Sequence, residues 1–263
     1  MSPQGLAAST FQALRHRNFR LWFFGQLTSL VGTWMQTIAQ NWLVYQLTGS
    51  ARDLGLVNFV GAIPLVPLTL YAGAIADRFE KRRVIFWCQA SMMALAFTLA
   101  FLCWTGAVRL WHVLLLAFLL GAAQALDTPA RQAFVVELVG KEDLSNAIAL
   151  NSGIFHGARV LGPAAAGILV AVSGVTGAFF LNGVSFVAVL LCLFLMDTAL
   201  IRRTGTADSA GDLLGGVKYL REHRVPRAVV ILISLSALLA MPYHVLIPIF
   251  AREILGRGAE GYG

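Results

Sequence analysis

The chain has 263 residues, of which 58% are hydrophobic and only 13% charged, and its formal net charge is +7. Soluble domains carry about 25% charged residues, so this composition argues against a water-soluble fold, and the long uncharged runs point to membrane spans. The positive charge sits in short clusters between apolar runs, with no aromatic-studded basic surface, which argues against a nucleic-acid partner.

A helix crossing a bilayer needs about 20 mostly apolar residues. Seven such runs follow in order: Phe19–Leu43, Leu54–Ala76, Val84–Trp104, Leu110–Leu126, Leu144–Val172, Gly177–Met196 and Ala228–Phe250. The first is too long for a signal-peptide core and is predicted to be an uncleaved span. Within it, Gln26, Ser29, Thr33, Gln36 and Gln40 are spaced 3, 4, 3 and 4 apart and share one helix face. One glutamine is adequate as interhelical glue. A five-member stripe is better explained by a polar cavity, because an amide buried without a partner is costly.

After the second span comes GAIADRFEKRR, Gly73–Arg83, with six charged residues in its last seven positions. The fifth span carries Asn151, Phe155, Arg159 and Gly162 along one face, with His156 alongside. An arginine at a helix centre costs about 2.5–3.5 kcal/mol on insertion scales. Arg159 is therefore expected to face a cavity, a carboxylate or backbone carbonyls, or to snorkel to the interface. Gly162-Pro163 predicts a bend, since proline lacks an amide donor and crowds the preceding turn.

Short connections, such as Thr48–Asp53 and Ser173–Thr176, alternate with longer charged ones, Asp77–Arg83, Asp127–Asp143 and Asp197–Arg227. Of the 20 lysines and arginines, 15 fall in the N-terminal segment and the charged connections. Four, Arg52, Arg109, Arg252 and Arg257, fall on the opposite side. The positive-inside rule then places the N-terminus in the cytoplasm. In the last charged connection Leu213, Val217 and Leu220 recur at helical spacing, as for a helix on the membrane surface or a solvated linker helix. The expected organisation is a six-span unit over residues 1–196, a central loop over 197–227, and the start of a second half over 228–263. The terminal GRGAEGYG reads as a loop cut midway.

Several function classes lose their chemistry here. A retinal-type Schiff base needs a lysine in the last span, but Lys81, Lys141 and Lys218 all lie in connections. No paired span aspartates, GxSG serine or HExxH supports an intramembrane protease. Only His156 and His244 lie in spans, thin support for haem. Cys88, Cys103 and Cys192 form no CxxC and read as small buried hydrophobes. The all-α bundle that remains, with its polar stripe and bent helices, has the ingredients of a secondary transporter rather than an enzyme. No cofactor is expected. A receptor or scaffold is the rival class.

GAIADRFEKRR resembles the GxxxDRxGRR signature between spans two and three of the major facilitator superfamily. Gly73, Asp77, Arg78, Arg82 and Arg83 match, and Glu80 stands where the family has glycine. The resemblance implies a cytoplasmic gate: Gly73 admits a close helix, Asp77 faces a helix N-terminus in the other half, and the arginines pair with nearby acids. ARVLGPAAAG, Ala158–Gly167, resembles the fifth-span antiporter motif at Gly162, Pro163 and Gly167, with Ala158 and Ala166 replacing glycines.

DTPARQAFVVELV, NAIALNSGIFHGARVLGPAAAG and FLNGVSF are similar to the siderophore- and drug-exporting branch. This likeness covers almost the whole chain. It implies twelve spans in two halves, a bacterial inner-membrane location, a small amphipathic substrate, protons as coupling ion, and a C-terminal half beyond this sequence. A solute importer is the alternative within transport. The family's fourth-span arginine is replaced by Phe118, three residues before Gly121. Arg131 is expected to pair with Asp77 instead. The cavity residues implied are Gln26, Thr33, Gln36, Gln40, Asn151 and Arg159.

Overall fold

A computed structural model describes residues 11–65, 67–68, 72, 79–201 and 221–240. Among these residues a short 3₁₀ turn, Gln12–Arg15, precedes six α-helices, numbered here α1 Arg17–Thr48, α2 Ala51–Ala62, α3 Lys81–Trp104, α4 Leu110–Val139, α5 Leu144–Leu195 and α6 Arg224–Ala240. Among the described residues α3, α4 and α5 are each long and apolar enough to cross a membrane. At 32 residues α1 has the length, but its glutamines and other polar residues lower its mean hydropathy.

The termini follow local chemistry. α1 ends at Gly49, whose φ of 63° and ψ of 13° form a left-handed cap, and whose N–H donates to the Tyr45 carbonyl over 2.8 Å. Ser50 caps α2 by accepting from the Asp53 amide. α5 is the largest departure from a simple rod. Its 52 residues would span about 78 Å if straight. At Gly174, however, the backbone takes φ 68° and ψ −177°, the only non-helical point inside the helix. Ala147 and Leu193, near opposite ends of α5, nevertheless belong to the same apolar cluster. The helix therefore folds back at Gly174 into two antiparallel arms.

Two main cores define the two ends of the bundle. At the Gly174 end Trp42, Leu54, Leu99, Val113, Ala166 and Phe179 pack together. At the other end Phe19, Trp22, Ile85, Phe134, Ala147 and Leu193 do so, with Trp22 and Phe134 edge to face at 5.4 Å. Helices α1, α3 and α4 and the two arms thus run up and down between the same two cores. Arg17, Lys81, Arg82, Arg83 and Lys141 share the second end, and Arg52 and Arg109 flank the first.

Close crossings need glycine. A Cβ built on Gly121 of α4 would overlap the Gly61 carbonyl of α2. One built on Gly162 of α5 would overlap the Trp34 side chain and lie 3.1 Å from the Met35 amide nitrogen. Gly162-Pro163 keeps helical backbone, so Gly162 works here as a contact point for α1.

The fourth span was expected to end at Leu126. α4 instead runs through Pro129 to Val139. Asp127, taken from sequence as the first loop residue, is 1% exposed and ion-paired within the helix, so its charge does not force the helix to stop.

Candidate functional site

The stripe on α1 meets the rest of the bundle through hydrogen bonds and through open space. Gln26 is 1% exposed and accepts from Arg131 Nη1 of α4 at 2.9 Å. Gln36 accepts from Asn182 Nδ2 on the second arm of α5 at 2.6 Å. Ser185 Oγ donates to both the carbonyl and the side-chain oxygen of Asn182. Asn58 Nδ2 of α2 donates to Asn41 Oδ1 of α1 at 3.0 Å. Each of these amides thus has at least one partner on a neighbouring helix, as an apolar surround demands.

Three adjoining cavities run along this face. One of about 270 Å³ is bordered by Gln36, Gln40, Asn58, Gly61, Gly121 and Gln124. It shares Thr33, Thr37 and Gln124 with a second, of about 340 Å³, which reaches Ser29, Gln89, Asp127 and Arg131. The second shares Thr128, Arg131 and Phe155 with a third, of about 310 Å³, which reaches Asn151 and His156. Thr33, Gln36, Gln40 and Asn151 therefore border cavities, and Gln26 lies behind the wall, holding Arg131. Arg159 stands elsewhere, half-buried, with its guanidinium 5.7 Å from the Trp34 ring centroid, a cation–π contact.

At the middle of this concavity sits a charged group that the sequence reading passed over. Asp127 Oδ2 lies 2.8 Å from Arg131 Nε one helical turn on, and the two side chains are 2% and 25% exposed. Gln89 Nε2 of α3 donates to both Asp127 oxygens at 3.2 Å. Arg131 thus joins α4 to α1, and Asp127 joins α4 to α3. Gln26 Nε2 and Gln89 Oε1 are buried and have no hydrogen-bond partner among the described residues. A guanidinium, a carboxylate and two amides can together bind a small polar group or exchange a proton. Gln89 inside an otherwise apolar stretch was the signal available in the sequence.

The basic segment after span two divides in the structure. Gly73, Asp77 and Arg78 lie outside the described residues, as do the central connection over 202–220 and residues 241–263. The expected Arg131–Asp77 pairing therefore falls there too, and Arg131's described partners are Asp127 and Gln26. Lys81 turns inward to Glu137 of α4 at 2.8 Å. Arg82 Nε donates to the Leu193 carbonyl at 2.8 Å, at the C-terminal end of α5 where the helix dipole is negative. Arg83 pairs with Glu80 at 2.9 Å on the surface. The same end of α5 is held by Asn18, which exchanges two hydrogen bonds with the Asp197 backbone. His16 meets Asp143 at 2.7 Å near the start of α5.

The major facilitator profile described as a transmembrane secretion effector matches residues 8–263. The staphyloferrin A transporter of Staphylococcus aureus (strain NCTC 8325 / PS 47) is 28% identical over 246 residues, which are 93% of this chain and 62% of that protein. The multidrug efflux pump Tap of Mycolicibacterium fortuitum is 29% identical over 178 residues, 65% of this chain and 43% of the pump. Macrolide efflux protein A of Streptococcus pyogenes is 22% identical over 252 residues, 91% of this chain and 61% of that protein. The chain spans about three-fifths of the length of the longest-matching of these relatives, which are transporters rather than enzymes.

Proposed function

Because the chain belongs to the transmembrane secretion effector family of major facilitator transporters, we propose that it supplies the first six spans, the central connection and the seventh span of a twelve-span exporter. Its substrates are small amphipathic molecules, a siderophore or a drug. The relatives' names, a siderophore transporter and drug and macrolide efflux proteins, support that range. The observation that carries the reading is the run of adjoining cavities with Asp127 and Arg131 at its middle.

Protons drive the export by antiport. Ionisable groups within spans commonly serve as proton relays. Protonating Asp127 removes the charge that faces Arg131, and the guanidinium is then free to leave Gln26. That single event loosens α4 from α1. A substrate in the cavity competes for the same donors, so proton and substrate occupy the site in turn while the two halves rock around it. Gly73, Asp77, Arg78, Arg82, Arg83 and Arg131 form the gate at the cytoplasmic end, which is also the side of the N-terminus. The protein lies in a bacterial inner membrane.

Everted vesicles carrying the complete transporter test this. With an inside-acidic gradient they should accumulate a macrolide or a siderophore, and a protonophore should abolish the accumulation. Accumulation in right-side-out vesicles instead would identify an importer. Absence of flux for every compound in both orientations would overturn the transport reading.

A further inference from the structure

We propose that the recess between the start of α3 and the end of α5 binds the phosphodiester headgroup of an anionic phospholipid. The recess encloses about 410 Å³ and is bordered by Glu80, Arg82, Arg83, Phe86, Trp87, Phe194 and Thr198. It is separate from the cavities along α1, and it stands whatever the substrate of those cavities is.

The sequence places charge and grease in the order of a membrane interface. Arg82 and Arg83 are the second and third residues of α3, and the apolar run begins at Val84. Trp87 lies four residues after Arg83, about 6 Å deeper along the helix axis. Phe86 and Trp87 stack edge to face at 5.7 Å. Trp87 is 68% exposed and Phe194 75% exposed, so the aromatic floor faces outward, not into the bundle. Tryptophan is enriched at headgroup depth, where its ring is partly wet and partly in hydrocarbon.

The guanidiniums are positioned for an anion. Arg82 is held by the carbonyls of Leu193 and, more weakly, Phe194, which fixes its plane against the end of α5. Arg83 Nε lies 2.9 Å from Glu80 Oε2. Each guanidinium has five N–H donors, so both retain donors for a phosphate after these contacts. Glu80 opposes an anion, but its carboxylate is already paired with Arg83. A phosphate seated here bridges the two arginines, and its acyl chains run down over Phe86, Trp87 and Phe194. Basic recesses between spans at a membrane face suit acidic headgroups, at about 1 kcal/mol per arginine, or about fivefold in affinity.

The test uses the full chain in mixed micelles with brominated phosphatidylglycerol or brominated phosphatidylcholine, reading the quenching of Trp87 as the difference from the Trp87→Phe variant. Phosphatidylglycerol should quench Trp87 at a several-fold lower mole fraction. Arg83→Gln, an exposed change that spares the α5 contact, should reduce that preference about fivefold. Arg82→Gln should reduce it further, with circular dichroism confirming that the helices persist. Equal quenching by the two lipids, or an unchanged preference in Arg83→Gln, would overturn the site. Displacement of phosphatidylglycerol by millimolar inorganic phosphate would also overturn it, by assigning the recess to a free anion.

Discussion

Lys81, the first residue of α3, reaches Glu137 near the end of α4 at 2.8 Å, and both side chains are almost sealed from solvent. By sequence Lys81 is one more positive charge on the cytoplasmic side. In the fold it is an internal tie between two helices, and the neighbouring arginines alone face outward.

A buried ion pair is unforgiving of single deletions. Lys81→Met or Glu137→Leu leaves one charge buried without its partner and should cost about 3–5 kcal/mol. Replacing both, Lys81→Met with Glu137→Leu, should recover most of that loss. Thermal unfolding of the four proteins in detergent closes the double-mutant cycle, and additive losses would show that the pair contributes no coupling.

Glycines in the bundle should divide sharply by what their missing Cβ would touch. Gly121→Ala drives a methyl into the Gly61 carbonyl and should destabilise by about 1–3 kcal/mol. Gly153→Ala meets nothing within 4 Å and should be neutral or stabilising by up to about 1 kcal/mol from helix propensity. Equal melting temperatures for the two variants would contradict the close crossing of α2 and α4.

Asn182→Ala removes the donor to Gln36 and leaves a buried amide oxygen unpaired, at a cost of about 1–3 kcal/mol. Adding Gln36→Leu removes the stranded oxygen, so the double variant should be no less stable than Asn182→Ala alone. The same melting assay reads both. A further loss on adding Gln36→Leu would place the value of Gln36 in some other contact.

Asp127→Asn keeps the side-chain shape and deletes the exchangeable charge. In the complete transporter it should abolish accumulation driven by a pH gradient while leaving counterflow of substrate measurable. Arg131→Gln should lower substrate affinity as well, because it also releases Gln26. Wild-type gradient dependence in Asp127→Asn would remove Asp127 from the coupling step.

Helix periodicity made the α1 stripe legible, because polar residues at 3 and 4 spacing in an apolar run have few bland explanations. Its double use was not legible. Gln26 and Gln36 bond to other helices, and whether a buried amide finds a partner depends on residues more than a hundred positions away. The reversal at Gly174 was readable in the short stretch Ser173–Thr176. Asp127 was missed for a physical reason: charge followed by Thr128-Pro129 has the composition of a loop, and only the Arg131 and Gln89 side chains make it tolerable inside a helix. Arg82 was read as a partner for acids, but it serves the carbonyls at a helix end, which no sequence motif announces.

The turn at Gly174 leaves no slack between the two arms of α5: one glycine departs from helical geometry, and Ser173 on its near side still donates to the Leu169 carbonyl. During synthesis the first arm cannot settle in the lipid while the second waits outside, because no tether joins them. The two must enter the bilayer together, as a hairpin. An epitope or glycan-acceptor sequence inserted at Gly174 should therefore disturb biogenesis, whereas the same insertion between Thr105 and Arg109, where the chain has several non-helical residues, should be tolerated.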